Sequence, residues 1–301
     1  MLEETPTRPK RFSTSRLVVS VISLAALLAA WRFGQRWLMI PIVVLLIAVY
    51  VVLPRLVRSR EARFHKQALR LLATGKAAMV PELARRQLVL QLFGTSGPID
   101  AVLGLAYSQS ERWPSAASHL APAVAGAAGS ELATLRANLT KALFATGDLA
   151  RAKDEGMSLL ETGLRLPETL VLVARSFIGL GTVDDLVEAL LDEADSRSPS
   201  EDVRTMIELT RIEGQLATGR RVSTLDENAD SGQRLVRGWI HFVRGRLREH
   251  RGDFDGAAAS YGRAEREAGE DVPVFSALAH ERLGVLAGTK VSSDKAEGSV
   301  H

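Results

Sequence analysis

The residues of this chain best spaced to do chemistry are cations rather than catalytic pairs. Arg237, His241, Arg244, Arg248 and Arg251 recur at intervals of 4, 3, 4 and 3 residues. On a helix this spacing keeps them to one side, flanking the apolar stripe Trp239, Ile240, Val243 and Leu247. Such a file is either a solvated helix face or a docking face for an acidic partner or for lipid headgroups. Groups that make or break bonds are not gathered by any spacing. The six histidines (His65, His119, His241, His250, His280 and His301) show no HxxxH or HExxH pattern, so no helix presents paired metal ligands. Asp184-Asp185 and Asp192-Glu193 suit solvated helix faces as well as a metal pair, and residues 226–230 are too short and wrongly ordered for a calcium loop. The Gly-Thr-Ser-Gly run at 94–97 is a turn and not a phosphate cradle. With no cysteine there are no disulfides, thiolate metal sites or cysteine nucleophiles. The chain is therefore expected to be no enzyme and to hold no metal or cofactor.

The elements that carry these residues are expected to be helices. Hydrophobic residues make up 46% of the 301 positions but aromatics only 5%, and alanine, leucine and valine supply most of the total, a balance that favours helix over sheet. The net charge of +3 is small. Glu155, Glu161, Glu188 and Asp192 interrupt any basic surface through the middle of the chain, so nucleic acid is not an expected partner.

Two apolar runs, 17–31 and 37–53, are separated by Arg32-Phe33-Gly34-Gln35-Arg36. Each is short for a span of about 20 residues, but arginines bracket both, and Trp31, Trp37 and Tyr50 suit an interfacial belt. The expectation is a two-helix transmembrane hairpin that contacts the bilayer through residues 17–53. A cleaved signal peptide, a buried soluble hairpin and one span beside an interfacial helix are the alternatives. The basic tail 1–16, with Arg8, Lys10, Arg11 and Arg16, and the cluster Arg55, Arg58, Arg60, Arg63, Lys66 and Arg70 place both termini in the cytoplasm by the positive-inside rule. The expected location is thus the inner membrane, as a multi-pass protein.

Beyond residue 53 the chain is self-similar. Leu103-Gly104-Leu105-Ala106-Tyr107 is followed by Trp113 and Ala116, then Gly147-Asp148-Leu149 by Ala152, and later Gly245 by Gly252-Asp253-Phe254 and Ala257. The small residue of the first helix falls at Gly104, Thr140, Ala174 and Gly245, at intervals of 36 and 34 residues and then about twice that. This pattern resembles the tetratricopeptide repeat (TPR), a helix–turn–helix unit of about 34 residues. The likeness covers residues 60–287, with clear copies near 97–130, 133–166, 167–195 and 238–270 and degenerate ones near 65–93 and 203–230. Residues 219–233 read as an irregular insertion, 274–286 as a closing cap and 288–301 as a disordered tail. The last clear copy departs from the pattern, since His241 and Arg244 stand where large apolar residues are expected.

The fold class implied is all-α: an N-terminal transmembrane helical hairpin followed by an α-solenoid of TPR-like helix pairs. The arrangement is similar to bacterial inner-membrane proteins of the HemY type. The resemblance implies a concave groove lined by the first helices, and there Asn138, Lys141, Arg175, Phe242 and Arg246 are the expected partner-binding residues. The two-carboxylate clamp of chaperone-binding members is not reproduced. The expected function is a membrane-anchored adaptor that binds protein partners, in assembly of a membrane or envelope complex. The alternative is a non-catalytic docking or regulatory subunit of a membrane-associated enzyme.

Overall fold

A computed structural model describes residues 21, 32, 39–87, 90, 96–197, 199–226 and 228–297. Its α-helices are α1 (Met39–Ile47), α2 (Leu53–Ala73), α3 (Val80–Arg85), α4 (Ser96–Gln109), α5 (Trp113–Val124), α6 (Gly129–Thr146) and α7 (Leu149–Glu161). They continue with α8 (Pro167–Gly179), α9 (Asp185–Ser196), α10 (Glu201–Thr218), α11 (Arg234–His250), α12 (Phe254–Ala268) and α13 (Pro273–Glu297). A π-helical turn, Ala48–Val52, joins α1 to α2, and a 3-10 turn, Ala77–Met79, precedes α3.

The Gly-Asp signatures do the work of turns. Gly147 ends α6 at φ 87°, a conformation that costs a residue without Cβ little, and the Asp148 carboxylate then accepts the amide of Arg151 at 3.3 Å to cap α7. Gly252 and Asp253 repeat the arrangement between α11 and α12, with Asp253 accepting the Gly256 amide at 2.9 Å. Helix pairs α4/α5, α6/α7, α8/α9 and α11/α12 result, and successive pairs stack into an all-helical, solenoid-like array. Ala116, Ala152 and Ala257 are fully buried at the pair seams. Gly104 lets α5 approach closely, since a Cβ there would lie 2.6 Å from Leu120 Cγ. Tyr107, half-buried, stacks on His119 at 5.5 Å.

Gly245 sits under the ring of Tyr261, where an added Cβ would come within 2.4 Å of Cε1. That ring is fully buried, and its hydroxyl donates to Glu249 at 2.6 Å, so it has little room to swing. Gly245→Ala is therefore expected to lower stability by about 1–3 kcal/mol through overpacking. Urea denaturation checks this, and an unchanged midpoint would refute the close-approach role.

Helix α10 breaks the pairing. Residues 220–226 and 228–233 that follow it are irregular, and the next helix, α11, packs against it but forms its pair with α12. The chain then returns on itself. Phe144 of α6 meets Trp239 of α11 at 5.6 Å and Phe275 of α13 at 6.1 Å, while Trp239 stacks on Phe275 at 5.5 Å. A second, smaller core joins Val57, Phe64, Ala68 and Leu72 of α2 to Val80 of α3 and Val102 of α4.

One expectation is corrected. The transmembrane hairpin at 17–31 and 37–53, and with it the multi-pass inner-membrane placement with cytoplasmic termini, is contradicted: among the described residues no helix is long and apolar enough to cross a membrane. The reason in the second run is continuity. Its α-helix spans 9 residues and passes into a π turn of 5. At 1.5 Å per residue these reach about 21 Å, against a hydrocarbon core of about 30 Å. Arg55, Arg58 and Arg60 follow at once in α2. The first run, apart from Val21, lies outside the described residues. Of the tail 288–301, α13 takes in the residues up to Glu297, and 298–301 lie outside the described residues.

Candidate functional site

The inner face on which a partner was expected is occupied by the chain itself. Lys141 of α6 pairs with Glu168, donates to the Gln233 side chain at 2.9 Å and lies over the Trp113 ring at 5.4 Å. Arg175 of α8 is 4% exposed and pairs with the equally buried Glu213 of α10, its guanidinium 6.0 Å from the Trp239 ring. Phe242 is buried between Tyr261 and Phe275. Asn138 accepts from Ser108 at 2.9 Å and donates to the Thr134 carbonyl. Only Arg246, half-buried, makes no ion pair or side-chain hydrogen bond among the described residues. Helix α11 thus rests against α6 and α10, and four of the five residues assigned to the groove have partners within the chain.

The cationic file points elsewhere. Arg244, Arg248 and Arg251 on α11 meet Arg263 of α12 around an open cleft of ≈ 480 Å³, closed at one edge by Thr224 and Leu225 of the irregular connection. No carboxylate lines it among the described residues. Arg244 is fixed by donating to the carbonyls of Asp226 at 3.2 Å and Ala229 at 2.9 Å, which pins the connection against α11. Arg248 donates to the Gly256 carbonyl and to Ser260 Oγ, both at 3.0 Å. Arg251 and Arg263 are exposed and make no ion pair among the described residues. Burial and the neighbouring Arg248 push the Arg244 guanidinium below its ordinary pKa. A second cleft of ≈ 380 Å³ continues past His241 and Arg244 to Asp230, Arg237 and Glu267. Arg237 is already paired there with Glu267 at 3.2 Å.

Compared with protein-family models, with curated proteins and with solved structures, the chain matches none. The trough must therefore be read from its own chemistry. Clustered guanidinium groups offer fixed donors to an anion and have nothing to transfer. Among the described residues, no three histidine, aspartate or glutamate side chains stand together in a way that could hold a metal ion.

Reading the sequence missed Arg263, and it placed an irregular insertion at 219–233 without showing that this segment walls the cleft. The signal for both was present in His241 and Arg244, polar residues at positions where a neighbouring helix would demand large apolar ones.

His241 lies where the two clefts meet. Burial foremost, then Arg244, holds its pKa below the ordinary 6.5; Arg263 acts the same way, and Glu267 and Asp230 oppose it. A base depressed in the folded state contributes stability that is present above pH about 6.5 and is lost as pH falls through the folded value. The urea midpoint should therefore decline below pH 6.5, and less steeply in His241→Gln. Equal slopes in both proteins would sink the assignment to His241.

Proposed function

We propose that this chain is a non-catalytic helical-repeat scaffold of the TPR kind that binds a protein partner through the trough on α11 and α12. The observation that carries the reading is the cleft itself: Arg248, Arg251 and Arg263 face an opening with no carboxylate among its described lining residues, while Lys141 and Arg175 of the expected groove are paired within the chain. Exposed cations are ordinarily solvated singly. Held together on a rigid helix pair, with Arg244 fixed by backbone carbonyls, they form a preorganised surface whose ordering cost is met before a partner arrives. Working by surface is ordinary for a stacked helical array.

A photo-crosslinking residue at Thr224 of the full-length chain, expressed in its native cells, tests this. A protein adduct should form there and be lost in Arg251→Glu/Arg263→Glu, and none should form from the same probe at Leu164, exposed outside the trough. No adduct at Thr224, or one indifferent to the charge reversal, overturns the reading.

A further inference from the structure

A surface that the trough does not use lies on α1 and α2. Ile40, Val43, Val44 and Ile47 fall at i, i+3, i+4 and i+7 and so share one side of α1, and Val51 and Val52 prolong the apolar surface across the π turn. All six are between 43% and 69% exposed. Single exposed aliphatic side chains are ordinary, but a contiguous run of them marks a contact surface. The π turn leads directly into α2, whose Val57, Phe64, Ala68 and Leu72 are buried in the smaller core. Arg55, Arg58, Arg60, Arg63, Lys66 and Arg70 of the same helix are all exposed, with Leu56 and Leu69 exposed among them. Glu61 is the only acidic residue from 39 to 73, so this positive charge is not balanced on its own segment.

The pairing of the two surfaces selects the occupant. A second copy, packed apolar side to apolar side, would bring like cations toward each other and offer them no anion. A bilayer that contains anionic lipid supplies acyl chains and headgroup charge side by side and demands no complementary shape. We propose that this segment seats the protein on an anionic lipid surface from one side. The apolar side of α1 and the π turn enters the boundary between headgroups and acyl chains, and the cations of α2 lie over the headgroups. The segment does not cross: α1 and the π turn together reach about 21 Å against a hydrocarbon core of about 30 Å, and Arg55 follows at once. The contact is with one leaflet, and it stands apart from the trough on α11 and α12.

The chain has no cysteine, so an environment-sensitive fluorophore on Val44→Cys of the full chain reports from one place. On vesicles of phosphatidylcholine and phosphatidylglycerol in a three-to-one mixture the label should shift to the blue. Nitroxides near the acyl carbonyl should quench it more than nitroxides near the chain end. The same label on Leu180→Cys, exposed at the end of α8, should not respond. Vesicles of phosphatidylcholine alone should bind at least tenfold more weakly, and salt should weaken binding to the mixed vesicles. Arg58→Glu/Arg63→Glu/Lys66→Glu should also cost at least tenfold. Because all three are exposed, the glutamine variants at the same positions, checked for an unchanged thermal midpoint, repeat the measurement without new acidic charge. No binding, equal binding to neutral and mixed vesicles, or strongest quenching near the chain end overturns the proposal. A blue shift without vesicles that grows with protein concentration also overturns it, because a second copy then covers the apolar side.

Discussion

Replacing Glu213 by glutamine should cost about 3–5 kcal/mol of folding stability, because it leaves the Arg175 guanidinium buried without a countercharge. Glu213 is 6% exposed and Arg175 4%, so neither can recover its hydration by a small movement. Glu213 also accepts the Trp239 indole N–H at 2.7 Å, and so one carboxylate ties α8, α10 and α11 together. Glutamine can still accept from the indole, which isolates the loss of charge from the loss of the hydrogen bond. Removing the arginine as well, Arg175→Met with Glu213→Gln, should restore much of the loss, since no charge is then stranded and the amide oxygen still accepts the indole N–H. Chemical denaturation followed by tryptophan fluorescence decides it. If the single and double variants are equally unstable, the damage comes from packing and not from the orphaned arginine.

Phe275→Ala carries the second large effect, also about 3–5 kcal/mol, from a fully buried aromatic side chain. The ring touches Phe144, Trp239 and Phe242, which belong to α6 and α11, and its removal opens a space at the junction of three helices. Hydrogen exchange gives the location as well as the size. Amides in the last turns of α6 and the first turns of α13 should lose protection together. Val274 lies 3.8 Å from the Cβ position of Gly147, at the end of α6, so the two segments share one seam. A loss of protection confined to α13 would show that α13 merely caps α12.

The helix pairs were legible because each is bounded by local chemistry. Gly147-Asp148 and Gly252-Asp253 stop one helix and cap the next whatever lies around them. The close-packing residues Gly104, Ala116, Ala152, Gly245 and Ala257 were legible for a related reason, since a missing side chain constrains spacing at short range. The closing of the array was not legible. Lys141 reaches Gln233 across 92 positions, and the amide of Arg234 donates to Glu111 at a separation of 123. Contacts so remote leave no period in the chain, and Phe144 and Phe275 read alone as ordinary apolar stripe residues. That is why Lys141 and Arg175 looked available to a partner. The hairpin expectation failed for another reason: counting apolar residues from 37 to 53 does not register that the backbone changes from α to π after Ile47. Half of the trough was visible in the file Arg237 to Arg251. The other half depended on where α12 and the irregular connection fall in space.

The fastening of residues 231–234 and α13 onto α6 also bears on how the chain reaches this structure. A linear stack of helix pairs makes contacts between neighbours only, so it can nucleate anywhere, fray from either end and tolerate removal of a unit. Here Glu111, Lys141 and Phe144 wait for partners made some ninety to one hundred and thirty residues later. Closing that loop costs chain entropy before it returns any contact energy, which raises contact order and slows folding relative to an open stack of equal length. In exchange, the segment from α4 to α13 is expected to melt in one transition, and a truncation before α13 should expose the middle helices to proteolysis rather than shorten a ruler by one division.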